Sequence, residues 1–138
     1  MATQRVFVAN RGEIALRIID ACDRLGFATV LGVSSADRES LPAQRAGRVV
    51  TLGGPRAADS YLNVPAVVHA AVATACTAVH PGYGFLSERE DFARLCAANG
   101  LVFIGPRPEQ LRALGDKISA RRLAESVGVP VSPGGPTK

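Results

Sequence analysis

The chain has 138 residues, 47% of them hydrophobic, and carries 16 basic against 12 acidic side chains for a net charge of +4. That length supports one domain with a core of its own. No run approaches the ~18 consecutive apolar residues of a membrane span, and no basic block interleaved with aromatics is present, which sets aside membrane insertion and nucleic-acid binding. Residues 1–5 run directly into an apolar stretch without a signal segment, so a cytoplasmic protein is expected. Cys22, Cys76 and Cys96 lie far apart, each in an apolar run, and read as reduced core residues.

Residues 5–9 form the first expected strand, whose near-continuous hydrophobicity suits a sheet covered on both faces. Asn10 then reads as an N-cap, with Glu13 completing a capping box. Ile14, Ile18, Cys22 and Leu25 continue as a helical stripe that Gly26 ends. Residues 28–33 and 48–52 are the second and third strands, with at most a short helix between them. Asn63 and Pro65 open the next helix, with Val64, Val67, Val68, Ala71 and Val72 as its buried face. Residues 76–80 are the fourth strand. Ser87 and Glu90 read as a second capping box, after which Phe92, Leu95 and Cys96 turn to the core. Residues 101–104 are the fifth strand, stopped by Gly105-Pro106. A short helix over 108–114 breaks at Gly115, and Asp116 caps another that bears Ala120, Leu123, Ala124 and Val127.

Strands alternating with helices predict an α/β fold, a Rossmann-like parallel sheet with right-handed crossovers and helices on both faces. Residues 6–127 are the expected domain. Residues 128–138, rich in Gly and Pro, read as an exit linker.

The turns after the first and fourth strands should open on one edge of that sheet, where α/β proteins hold ligands. Gly82-Tyr83-Gly84-Phe85-Leu86-Ser87 matches G-x-G-x-x-G except for Ser87 in the last position. That serine, Pro81, and the lack of an acidic residue after the next strand argue against NAD. Two readings remain for the turn: a ligand edge offering backbone N–H groups and the Tyr83 ring, or a purely structural turn. At 10–13 the choice lies between an anion site at a helix N-terminus and a capped helix with Gly12 for close packing. The charge of Glu13 favours the second.

Lys117 follows Gly115-Asp116 at a helix start, and the only other lysine is Lys138. It is either a solvated surface charge or a mobile point charge for a phosphate. His80 could be a base, a ligand, or a packed histidine whose ring nitrogens bond backbone groups. His69 is expected to be exposed. Neither histidine has a second His or Cys at metal spacing, so no protein-only metal site is expected. With no phosphate-binding G-x-x-x-x-G-K-[ST], no G-x-S-x-G and no paired carboxylates, no residue is assigned a catalytic role.

Six segments carry a resemblance: Ala9-Asn10-Arg11-Gly12-Glu13-Ile14-Ala15, Ser34-Ser35-Ala36-Asp37-Arg38, Tyr61-Leu62-Asn63, the string from His80 to Glu88, Phe103-Ile104-Gly105-Pro106, and Gly115-Asp116-Lys117. Together they resemble the N-terminal domain of biotin carboxylases, the ATP-grasp ligases of the biotin-dependent acyl-CoA and pyruvate carboxylases. The resemblance implies an enzyme that cleaves MgATP to activate bicarbonate and then carboxylates biotin on a biotin carboxyl carrier domain, with a carboxyltransferase as further partner. It implies that Lys117 touches the ATP phosphates, that Tyr83 and Gly84 line the biotin side, and that the first helix, including Arg17, contributes to a homodimer contact. Asp20 and Arg24 stand where relatives often carry the opposite signs, so that contact would use an exchanged charge pair. Arg89-Glu90 also depart from the Ser-Glu-Asn-Ala common in relatives. The ATP-grasp domains and the Mg2+ ligands would lie after Lys138, and the 138-residue chain is expected to be inactive alone. Two alternatives stand beside this: the matching domain of a carbamoyl-phosphate synthetase type ligase, and a non-catalytic binding or dimerisation module.

Overall fold

The computed structural model describes residues 4–134. Five strands, β1 (Arg5–Val8), β2 (Ala28–Ser34), β3 (Arg48–Gly53), β4 (Ala78–His80) and β5 (Val102–Phe103), form one sheet in the order β3-β2-β1-β4-β5. Every pairing is parallel, and central β1 sets Val8 opposite Leu31 on one side and His80 on the other. The first three strands step outward in one direction and the last two in the other. The order therefore reverses between β1 and β4, the place where open α/β sheets hold ligands at their carboxyl ends.

The expected α/β fold with helices on both faces is present. The helices are α1 (Gly12–Arg24), α2 (Leu41–Arg45), α3 (Val64–Ala73), α4 (Glu90–Ala98), α5 (Pro108–Gly115) and α6 (Lys117–Ser126). Side chains alternate across each strand, so β1 feeds two cores. Phe7, Val30 and Val79 pack with Val67, Val68 and Ala71 of α3 and Phe92 and Cys96 of α4. Val6, Val8, Leu31 and Val33 pack with Ala15, Ile18, Ile19 and Cys22 of α1 and Ala43 of α2. Phe92 meets Phe103 edge to face, with ring centroids 5.8 Å apart. The three cysteines are buried and free, and burial pushes the Cys96 thiol up to about 11.

Two expected caps are present. Asn63 Oδ1 accepts from Ala66 N at 3.1 Å, and Asp116 accepts from Ser119 N at 2.8 Å. The two capping boxes are not. α1 begins after Arg11 and α4 after Arg89, neither with a side-chain cap, because Asn10 is drawn into the other turn and Ser87 still belongs to a turn. Leu25 is the exposed C-cap of α1 rather than part of its stripe, and Val72 lies beyond the buried arc of α3, where Ala70 packs instead. Helix α6 buries none of its residues and packs chiefly on α5, so Leu123 and Val127 are exposed.

Candidate functional site

Two segments meet at the strand reversal, 9–13 after β1 and 80–88 after β4. Asn10, fully buried, ties them together. Its Nδ2 donates to the carbonyls of Pro81 and Tyr83, both at 2.8 Å, while its Oδ1 accepts from Arg11 N at 2.8 Å. Both N–H groups and the carbonyl oxygen of the amide bond backbone groups, so its burial leaves no polar atom without a partner. This is the physical reason that Asn10 does not cap α1.

Gly82 has φ +65, and a Cβ there would stand 2.7 Å from Ile14 Cγ2 and 2.8 Å from Asn10 Nδ2. Only glycine fits where the second segment crosses the first. By contrast, a Cβ on Gly12 would meet nothing within 4 Å. Its φ of +59, and not close packing, explains that glycine. Gly82 N donates to His80 Nδ1 at 3.0 Å, which fixes His80 as a neutral ring with the proton on Nε2. Burial also lowers its pKa. The packed-histidine reading is met in part: Nδ1 bonds a backbone group, while the ring is half-buried and Nε2 has no partner among the described residues.

The far end of the loop is held from another direction. Phe85 adopts φ +45, a left-handed conformation uncommon for a side chain of that size. Its ring lies 5.3 Å from that of Tyr61, which is buried. The Tyr61 hydroxyl donates to Asp37 Oδ2 at 2.5 Å and accepts from Ser34 N at 3.0 Å. Asp37 also takes a two-pronged pair from Arg11, with Nε at 2.8 Å and Nη2 at 2.9 Å, and a bond from Ser34 Oγ at 3.2 Å. These donors, Arg11 foremost, hold the Asp37 carboxyl down to about 2 against the opposing effect of burial. The Arg11 guanidinium is correspondingly raised.

Between these two anchors the loop faces outward. Tyr83 is 67% exposed, and Gly84 is exposed with φ +71. Among the described residues, the N–H groups of Tyr83, Gly84 and Phe85 take no partner. The loop thus presents a phenol ring and free donors suited to an acceptor oxygen. Lys117, the first residue of α6, is exposed, and no hydrogen bond links it to the loop among the described residues. Tyr83 and Gly84 are brought together, and Lys117 stands on a separate element. Sequence reasoning misread Asn10 and assigned no role to Arg11, Asp37, Tyr61 or Phe85. The segments 34–38 and 61–63 were distinctive in sequence, yet nothing in their spacing shows that they meet.

Among the described residues no cluster of three or more His, Cys, Asp or Glu could hold a metal ion. Nor is any of their helices long and apolar enough to cross a membrane.

A family model described as biotin carboxylase, N-terminal domain, matches residues 2–111. The biotin carboxylase of Nostoc sp. is 47% identical over 97% of this chain and 30% of its own length. The mitochondrial methylcrotonoyl-CoA carboxylase subunit alpha of Oryza sativa subsp. japonica is 52% identical over 96% of this chain and 18% of its own. Among solved structures, the biotin carboxylase domain of a single-chain bacterial carboxylase superposes with a TM-score of 0.92 at 50% identity, covering 99% of this chain and 31% of that one. The chain spans less than a third of the length of each of these relatives.

Proposed function

Because the chain belongs to the biotin carboxylase N-terminal domain family, we propose that it forms one wall of the active site of a longer ligase. That ligase uses ATP to activate bicarbonate and carboxylates biotin borne on a carrier domain. The observation that carries this is the outward-facing loop 80–86 at the strand reversal, with Tyr83 and the N–H groups of residues 83–85 free for a ligand. The ureido group of biotin has a strong acceptor oxygen and a flat, apolar ring system. Backbone donors beside a phenol ring match both.

In this role the chain binds and orients. Tyr83 and Gly84 line the biotin side and keep water from one face of it. Lys117, a mobile ammonium at the start of α6, meets the phosphates of ATP and offsets their charge. The ligands of Mg2+ belong to the ATP-grasp part of the enzyme. In this assignment residues 6–127 are the domain and 128–138 the linker to the ATP-grasp part. A carboxyltransferase and a second copy of the enzyme, docked through α1 near Arg17, are its further partners. A cytoplasmic setting agrees with three buried, free thiols.

The test replaces the matching segment of the Nostoc biotin carboxylase with residues 1–138 and assays that chimera. Lys117→Ala should raise KM for ATP about tenfold, the loss of one charge-assisted contact. Tyr83→Ala should raise KM for biotin and leave that for ATP within twofold. Unchanged constants for both variants in an active chimera would remove these assignments.

A further inference from the structure

We infer that Asn10 is a positioning residue for the ligand-facing backbone of the 80–86 loop, an inference that rests on assigning this loop to the biotin side. In a trans peptide the C=O and N–H point in opposite directions, and no described peptide is cis. Asn10 Nδ2 draws the Tyr83 carbonyl inward at 2.8 Å. The N–H in the same peptide plane, that of Gly84, is therefore turned outward, where it has no partner among the described residues. The second bond of Nδ2, to the Pro81 carbonyl, does the same one turn earlier. There the paired N–H is that of Gly82, and His80 Nδ1 consumes it. One buried amide thus sets two peptide planes, sealing the first and offering the second.

The loop does not hold this shape unaided. Gly82 and Gly84 are permissive, and Phe85 at φ +45 carries strain that its surroundings must offset. Asn10 holds the entry of the loop. Tyr61, itself fixed by Asp37 and Ser34 N, holds the exit through the Phe85 ring. Without Asn10 the Tyr83–Gly84 peptide is free to rotate, and the Gly84 donor loses its aim. The segment after β1 thereby acts in ligand binding through the fully buried side chain of Asn10.

The test uses Asn10→Ala in the chimera, with Tyr83→Ala alongside and amide NMR of residues 82–85 in the 138-residue chain. The inference expects displaced or broadened resonances for Gly82, Tyr83 and Gly84. It also expects a KM for biotin raised about tenfold, with KM for ATP within twofold. A folded variant with unmoved loop resonances would overturn it. So would equal rises in both constants, the mark of a merely structural role. Should Asn10→Ala not fold, Asn10→Ser, whose short hydroxyl cannot span both carbonyls, gives the same two readouts. If Tyr83→Ala leaves KM for biotin unchanged, the biotin assignment of the loop fails. The positioning role is then decided by the loop resonances alone.

Discussion

Asn10 and Asp37 show how a side chain's role follows from where its bonds can go. An asparagine before a helix ordinarily caps it, because its carbonyl oxygen accepts from the first turn. Here the oxygen is taken by Arg11 N and the amino group by two carbonyls 71 and 73 residues away. Gly82 exists to admit that contact, so Gly82→Ala should cost on the order of 2–3 kcal/mol, the sum of left-handed strain and overpacking against Ile14. A denaturant midpoint unchanged by that substitution would contradict the geometry. Asp37 has a folded-state pKa of about 2, below the ordinary 3.8 of a free carboxyl. A depressed carboxyl contributes stability that is complete above about pH 4 and is lost as pH falls toward 2. With Arg11 half exposed, the contribution is on the order of 1 kcal/mol after screening by solvent. Asp37→Asn should lower stability at pH 7 and flatten its dependence between pH 4 and 2, as thermal unfolding across that range would record.

Helices differ in what they give the fold, and apolar content alone does not rank them. Helix α4 sends Phe92 and Cys96 into a fully buried position beside the sheet. Helix α6 has apolar residues at similar spacing, yet Leu123 is 42% and Val127 68% exposed. Phe92→Ala should therefore destabilise the chain by about 3–5 kcal/mol, the range for an aromatic removed from a packed core. Leu123→Ala should change it by less than about 0.5 kcal/mol. Comparable losses in the two variants, measured by urea unfolding, would mean that α6 packs against the sheet in solution. Helical period establishes that a stripe exists; only the neighbouring element determines whether it is covered.

Under the proposed function the whole molecule is one side of a cleft, and it spans less than a third of the relatives it matches. Preorganised charge stabilisation of phosphoryl transfer needs groups on all sides of the reacting atoms. The 138-residue chain by itself should release no ADP in the presence of ATP, bicarbonate and biotin. Biotin-dependent ADP release by the purified chain, above a no-enzyme blank, would show that this wall suffices.

Local rules carried much of this. Short apolar-rich runs placed all five strands, most plainly central β1, whose near-continuous hydrophobicity matches burial on both faces, whereas edge strands β3 and β5 carry exposed positions. Asn63 and Asp116 marked helix starts because a side-chain oxygen there satisfies an adjacent amide. The backbone bond of His80 Nδ1 and the distinctive Gly82–Gly84 turn were legible, since both depend on neighbours two or three residues away. Long-range pairing was not legible in the same way. That Asn10 would leave its own helix for the turn after β4, and that Asp37 would join Arg11 to Tyr61, follow from the β3-β2-β1-β4-β5 order, which brings these segments to one edge. Hydrogen-bonding capacity belongs to each residue, but its partner is chosen by which strand ends become neighbours, and only packing of the whole sheet decides that.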